Sequence, residues 1–284
     1  MAPKPTPILP ALAQTEPGLS VLRLAALLAE EEGPLDHDAL DAMFEQVEQG
    51  ELVDVPPMAI WTELERGLMA PYPARGLQAL RACGALAEVL SEVSSLFGVP
   101  QIADDPPEVD LGEHLLNSLT EAARCRAPLP VRYALLMMNV GKADSPREHL
   151  PVHYRHIERG RPRIEEISDR FGVPDQCREL ALLALTECER VHRVSEMRAG
   201  PVALMLDRLQ AFDQPAFFQL MMMVCTCDYL AYGNRTGKPY PKAALLDKAL
   251  RACADLDNEQ DGIETARAVA IAEAFRSQRW SEEE

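Results

Sequence analysis

The chain has 284 residues, 47% of them apolar, and 45 acidic against 28 basic residues leave a formal net charge of −17 with the six histidines neutral. That length suffices for one large or two medium domains with a real core. No apolar run reaches the ~18 residues a membrane span needs, and the start, MAPKPTPILPALAQTEPG, has no basic opening ahead of a long apolar stretch, so neither a spanning helix nor a secretory signal is expected. The acidic surplus opposes non-specific nucleic-acid binding, which needs a positive face for phosphates, and leaves room only for a local basic patch. A soluble cytoplasmic protein is expected.

Nearly every segment repeats with helical period. In LSVLRLAALLAEE, Leu19, Leu22, Leu24 and Leu27 fall on one broad face. DHDALDAMFEQVEQG opens on acidic residues and stops at Gly50, as helix ends prefer. PPMAIWTELERGLMAP is bracketed by prolines, and PARGLQALRACG and GALAEVLSEVSSLFG each close on glycine. VPQIADDPPEVD breaks the pattern and reads as a linker or extended segment, which places a domain boundary near residue 101. Beyond it the periodicity predicts helices near 110–125, 129–140, 162–171, 175–194, 199–212, 215–232, 241–255 and 259–278. Alternating runs long enough for a sheet are absent, so the expected fold is all-α in two helical units. SEEE reads as a solvated tail.

Several common chemistries find no motif. GNRTGKPYP holds a Gly-Lys pair without the spacing or preceding strand of a phosphate loop, and no GxSxG elbow occurs. The seven cysteines, Cys83, Cys125, Cys177, Cys188, Cys225, Cys227 and Cys253, form no CxxC pair. Cys225 and Cys227 diverge by about 200° on a helix and cannot easily share a metal. Reduced core thiols are the expected state.

From about residue 8 to 255 the chain resembles the C-terminal part of a bacterial CCA-adding tRNA nucleotidyltransferase. IWTELERGL, with Trp61, Glu63 and Glu65, and LRACGALAEVLSEVSSLFGVP, with Arg81, Cys83, Gly84, Leu86 and the Gly98-Val99-Pro100 exit, stand where that family has its neck and body. EVDLGEHLL, VGK, LPVHYRH, GVPDQCRELALL and NRTG resemble its HD domain. The resemblance divides the chain into a Pro-rich segment (1–17), a neck/body-like helical unit (18–100), a degenerate HD-like helical bundle (101–278) and an acidic tail (279–284).

The departures weigh more than the matches. The family's polymerase head, with its phosphate loop and metal-binding aspartates, would precede this stretch, and residues 1–17 cannot replace it, so nucleotide addition by this chain is not expected. The family neck reads the incoming base with an EDxxR motif. Here Glu16 stands near the aspartate and Ser20 where the arginine would be, and serine has no bidentate donor edge. HD hydrolases hold a divalent metal with a histidine, a His-Asp pair and a distant aspartate. The resemblance puts His114 and Asp228 at the outer two positions but Met138 and Asn139 at the pair, a soft weak donor and a neutral amide. A further family His-Asp pair falls on Cys188-Glu189, while Lys142, His153, His156 and His192 stand at matching positions.

Each feature has a plain reading beside this one. His114 also reads as a hydrogen-bonded core histidine, Asp228 as a buried carboxylate paired with an arginine or capping a helix, Cys188 as an inert thiol, and Met221, Met222 and Met223 as core filling. His149, His153 and His156 have helix-like spacing, but Pro151 argues for a loop or helix start. The stretch 142–163 carries six Lys/Arg against three Asp/Glu, and RVHRVSEMR adds three Arg against one Glu. That clustering is either a solvated rim or an anion site built from Lys142, His153, Arg155, His156, Arg159, Arg161, Arg163 and His192. The expected function is therefore a catalytically degenerate tRNA nucleotidyltransferase-like module that binds tRNA or a small phosphorylated ligand, with no resident cofactor or metal. Two alternatives stay open: a residual metal-dependent phosphohydrolase using His114, His153, His156, Glu189 and Asp228, and a scaffold for a protein partner.

Overall fold

The computed structural model describes residues 16, 18–104, 106–194, 198–235 and 237–281, the side chains after 276 excepted. The rest of the Pro-rich start, Asp105, the last three residues of the tail, residues 195–197 of the second basic run and Thr236 lie outside them. The described residues are predominantly helical, as the periodicity implies. Six helices come first: α1 (Leu19–Leu28), α2 (His37–Glu48), α3 (Pro57–Met69), α4 (Pro73–Ala82), α5 (Ala85–Val89) and α6 (Ser91–Ser94). Asp36 caps α2 by accepting from the backbone of Asp38 and Ala39, and Pro57 and Pro73 open α3 and α4, where a missing N–H costs nothing.

Two segments depart from the sequence reading. GALAEVLSEVSSLFG is not one helix: at Leu90 the backbone leaves helical geometry (φ −143°, ψ 61°) and α6 restarts after it. The break turns Leu86, Leu90, Val93 and Leu96 all inward, so burial overrides helix continuity. The linker-like segment is an antiparallel hairpin, β1 (Pro100–Ile102) paired with β2 (Glu108–Asp110). Strands of three residues are too short to leave an alternating pattern.

From the hairpin the chain enters α7 (Leu111–Arg124), capped by Asp110, then α8 (Leu129–Met137), a short 3₁₀ turn at Val140–Lys142 and another at Arg147–His149. The remaining helices are α9 (His156–Phe171), α10 (Asp175–Arg193), α11 (Ala199–Arg208), α12 (Pro215–Leu230), α13 (Pro241–Ala252) and α14 (Ile263–Ser281). Helix α9 starts six residues before the sequence boundary. The predicted start, Pro162, sits inside the helix, where the one hydrogen bond it removes belongs to the carbonyl of exposed Glu158.

One apolar core runs from Val21 through Trp61 and Tyr133 to Ile271. Trp61 of α3 meets Tyr133 of α8 edge-on at 5.6 Å and stacks on Phe171 of α9. Buried Arg132 bridges the same divide: its guanidinium donates to the carbonyls of Leu68 and Ala70 at the C-terminal end of α3 and to that of Ala127. Helices α7, α8, α10 and α12 pack together around the site, and α9 lies across the 3₁₀ turn that follows α8.

That last contact is unusually close. A Cβ on Gly141 would lie 2.0 Å from the carbonyl oxygen of His156 and 2.6 Å from the backbone nitrogen of Gly160. Two facing glycines let α9 rest on the turn. Across the contact Arg159 donates to the Gly141 carbonyl (3.0 Å) and Arg163 to that of Val140 (2.8 Å).

Candidate functional site

A cavity of about 150 Å³ opens between α7, α8, α9, α10 and α12. His114 of α7, Met138, Asn139 and Lys142 at the end of α8, His156 of α9, Cys188, Glu189 and His192 of α10, and Asp228 of α12 all line it. Residues scattered over 114 positions are thus gathered at one place. His153 is not among them; it sits behind Lys142, bonded to Ser145 and to the Pro100 carbonyl of the hairpin.

The floor is a chain of buried polar groups. Asp228 accepts from Nε2 of His114 (2.8 Å) on one oxygen and from Nε2 of His192 (2.9 Å) on the other. Nδ1 of His192 faces the Tyr240 hydroxyl at 2.7 Å, and Cys188 Sγ lies 3.4 Å from His192 Nε2. The partner of Asp228 is therefore a pair of histidines, not an arginine or a helix end, which corrects the plain reading of that residue. Burial alone would push the Asp228 carboxyl up; the two histidines outweigh it and hold it well below the usual range. Burial likewise opposes protonation of His192, but Cys188 and the Asp228 carboxylate raise its pKa to about 10. Cys188 itself, buried against Cys225, is pushed well above a normal thiol, so the carboxylate supplies the charge.

The wall opposite carries the second ion pair. Lys142, 4% exposed, holds Glu189 at 2.8 Å and donates to Gln101 of the hairpin at 2.9 Å. Burial raises the Glu189 carboxyl, and Lys142 more than compensates, leaving it low. Arg193 closes the rim on the same carboxylate at 3.2 Å.

The candidate anion residues divide accordingly. Arg159 and Arg163 are braces on backbone carbonyls, with Arg163 also paired to Asp144, so the long patch over 142–163 does not exist as a continuous donor surface. Arg155 (78% exposed) and Arg161 (51%) point to solvent, each 3.9 Å from a glutamate of α9. His153 and His156 add no charge to such a patch near neutral pH. Burial, followed by Lys142, lowers His153 to about 4, and burial foremost lowers His156. Of the two candidate base-reading positions, Ser20 is fully buried and donates to Gln46, while Glu16 pairs with Arg23, which also holds Glu63. Neither faces the cavity.

The hydrogen bonds of His153 fix its neutral form: Nε2–H donates to Pro100 and Nδ1 accepts from Ser145, whose oxygen also takes a bond from Arg159. Between pH 6.5 and 4 the unfolded chain binds a proton here that the native chain refuses, so stability falls as pH drops through that window. The loss expected is ~1–2 kcal/mol after discounting for partial exposure. Urea midpoints of wild type and His153→Gln at pH 7 and 4.5 measure it; the variant should lose less on acidification.

Comparison with known proteins places this geometry. The chain is 37% identical over 274 residues to the multifunctional CCA protein of Burkholderia multivorans, covering 92% of this chain and 66% of the relative. It is 36% identical over 271 residues to that of Cupriavidus necator, covering 90% and 66%, and 36% identical over 277 residues to that of Cupriavidus taiwanensis, covering 93% and 67%. The chain belongs to the multifunctional CCA protein family. It spans about two thirds of the length of these curated relatives. No protein-family model matches it. Among the described residues no helix is long and apolar enough to cross a membrane.

Family resemblance implies a divalent cation in such a cavity, and the residues present fit one poorly. Met138 and Asn139 offer neither imidazole nor charge, and the Lys142 ammonium stands in the wall. What sequence reading missed is a different donor set: Cys188, His192 and Asp228 bring S, N and O atoms within 4.8 Å of one another. The i, i+4 spacing of Cys188 and His192 was the available signal, passed over because the thiol looked like core.

Proposed function

We propose that this chain is a catalytically silent member of the CCA protein family that binds a phosphate-bearing group in the cavity and does not turn it over. In this reading residues 18–100 form a neck/body-like unit and residues 101–278 a degenerate HD-like bundle, with tRNA the macromolecule served. The supporting observation is the charge of the lining. Lys142, His192 in its protonated form and Arg193 stand against Asp228 and Glu189, and the positions where a metal-holding pair would sit are neutral. An anion can take donors from Lys142 and Arg193 as they share Glu189, and the Asn139 amide lines the same wall. The acidic surface restricts the contact to this small opening and makes it salt-sensitive.

The test is titration calorimetry with AMP and with inorganic phosphate at two salt concentrations. Lys142→Met should weaken binding about tenfold, as expected for loss of one charged donor. Arg193→Ala, at an exposed position, should weaken it less, and Arg155→Glu with Arg161→Glu should leave it unchanged. Equal binding by all variants, or none at low salt, removes the proposal. A second reading is favoured by the Cys188, His192 and Asp228 cluster: a site for a thiophilic metal such as zinc, which would displace the Cys188 proton. Stoichiometric metal in purified protein, lost in Cys188→Ala, would put that reading first.

A further inference from the structure

A second cavity, of about 440 Å³, opens on the far side of the α7–α12 contact, with Cys125, Met222, Met223, Thr226, Cys227 and Leu230 in its wall. Cys125 caps the C-terminal end of α7 and is exposed; Cys227 lies inside α12 and is 2% exposed. Their sulfurs are 3.8 Å apart although the residues are separated by 102 positions. This is close contact without a bond, and a disulfide requires about 2.05 Å between sulfurs. The movement needed is under ~2 Å and falls to a side chain at a helix end, where rotation is least hindered.

We propose that Cys125 and Cys227 form a reversible dithiol–disulfide site, Cys125 meeting hydrogen peroxide in the cavity and Cys227 resolving it. The Cys125 sulfur attacks one peroxide oxygen; an S–O bond forms, the O–O bond breaks, and the other oxygen leaves as water with the thiol proton. The Cys227 sulfur then attacks that of Cys125; the S–S bond forms, the S–O bond breaks, and hydroxide departs as a second water with the Cys227 proton. Two thiols and one peroxide yield one disulfide and two waters.

Three further observations agree. Cys125 is the exposed member of the pair and meets the oxidant first, and the contact with Cys227, helped by backbone hydrogen bonds and Arg132, outweighs burial and lowers its pKa. Cys227 is pushed the other way by the same contact, as a resolving thiol held in reserve. Cys188 and Cys225, which also neighbour each other, are both buried and have no exposed member to meet an oxidant. The bridge would tie α7, which carries His114, to α12, which carries Asp228.

The experiment treats the whole chain with one equivalent of hydrogen peroxide, then counts free thiols and maps peptides by mass. The expected result is loss of two of the seven thiols, a linked peptide pair containing Cys125 and Cys227, and full recovery with dithiothreitol. Cys125→Ser, at an exposed position that folding tolerates, should abolish the linkage and keep Cys227 open to alkylation after unfolding. A link between Cys125 residues of two chains overturns the proposal. So does a Cys188–Cys225 link, or Cys125 advancing to sulfinic acid while Cys227 stays free.

Discussion

Gly141→Ala will lower folding stability by about 3 kcal/mol or more. The added carbon has nowhere to go. Its neighbours are the His156 carbonyl and the Gly160 backbone at 2.0–2.8 Å, and none of them is the end of a flexible side chain. Relief requires α9 to retreat, which stretches the Arg159 and Arg163 bonds to the carbonyls of Gly141 and Val140. The same retreat carries His156 away from the cavity. Gly200→Ala is the control, because a carbon there meets open space in a helix; it should leave stability unchanged or slightly higher. Urea unfolding of the three proteins decides. A Gly141→Ala midpoint within error of wild type would mean that the two glycines do not touch.

Asp228→Ala should cost about 3–5 kcal/mol, the range for removing one member of a buried charged network. The carboxylate satisfies His114 on one oxygen and His192 on the other. Without it, two ring N–H groups lose their acceptor in a buried site, and His192 loses the charge that keeps it protonated. Asp228→Asn should cost less, since its amide oxygen still accepts one of the two bonds. The sign with pH follows from the shifts. Stability from the low Asp228 carboxyl is present above about pH 4 and is lost as pH falls through its folded value. Stability from the raised His192 is complete below about pH 6.5 and is lost as pH rises toward its folded value of about 10. Thermal melts of wild type and both variants at pH 7 check the order; equal melting points would show that the histidines find other partners.

How far these features could be read in advance depended on their range. Helix existence was legible because the 3.6-residue period is local, and prolines and glycines mark most ends correctly. Pro162 misled because the carbonyl it leaves unpaired lies at the surface, where water can serve it. Leu90 misled because only the finished core explains a break inside a good helical pattern. Among the lining residues, His114, Lys142, Glu189, His192 and Asp228 were all named from family resemblance, but which of them pair was not. The distance between Lys142 and Glu189, or between Asp228 and His192, is set by helix packing and has no trace in spacing. The 102-residue separation of Cys125 and Cys227 hid their contact for the same reason.

Arg132 carries a consequence for how the molecule comes apart. A guanidinium cannot shed its charge, and this one is 4% exposed with two of its carbonyl acceptors on the far side of the hairpin. Should the first helices loosen, Arg132 loses two of its three acceptors, and water must reach the seam beside α8 to replace them. Fraying on one side therefore calls up fraying on the other, through a single rivet that tolerates no half-open state. The two stretches are therefore expected to melt together, which coincident unfolding transitions by different probes would check.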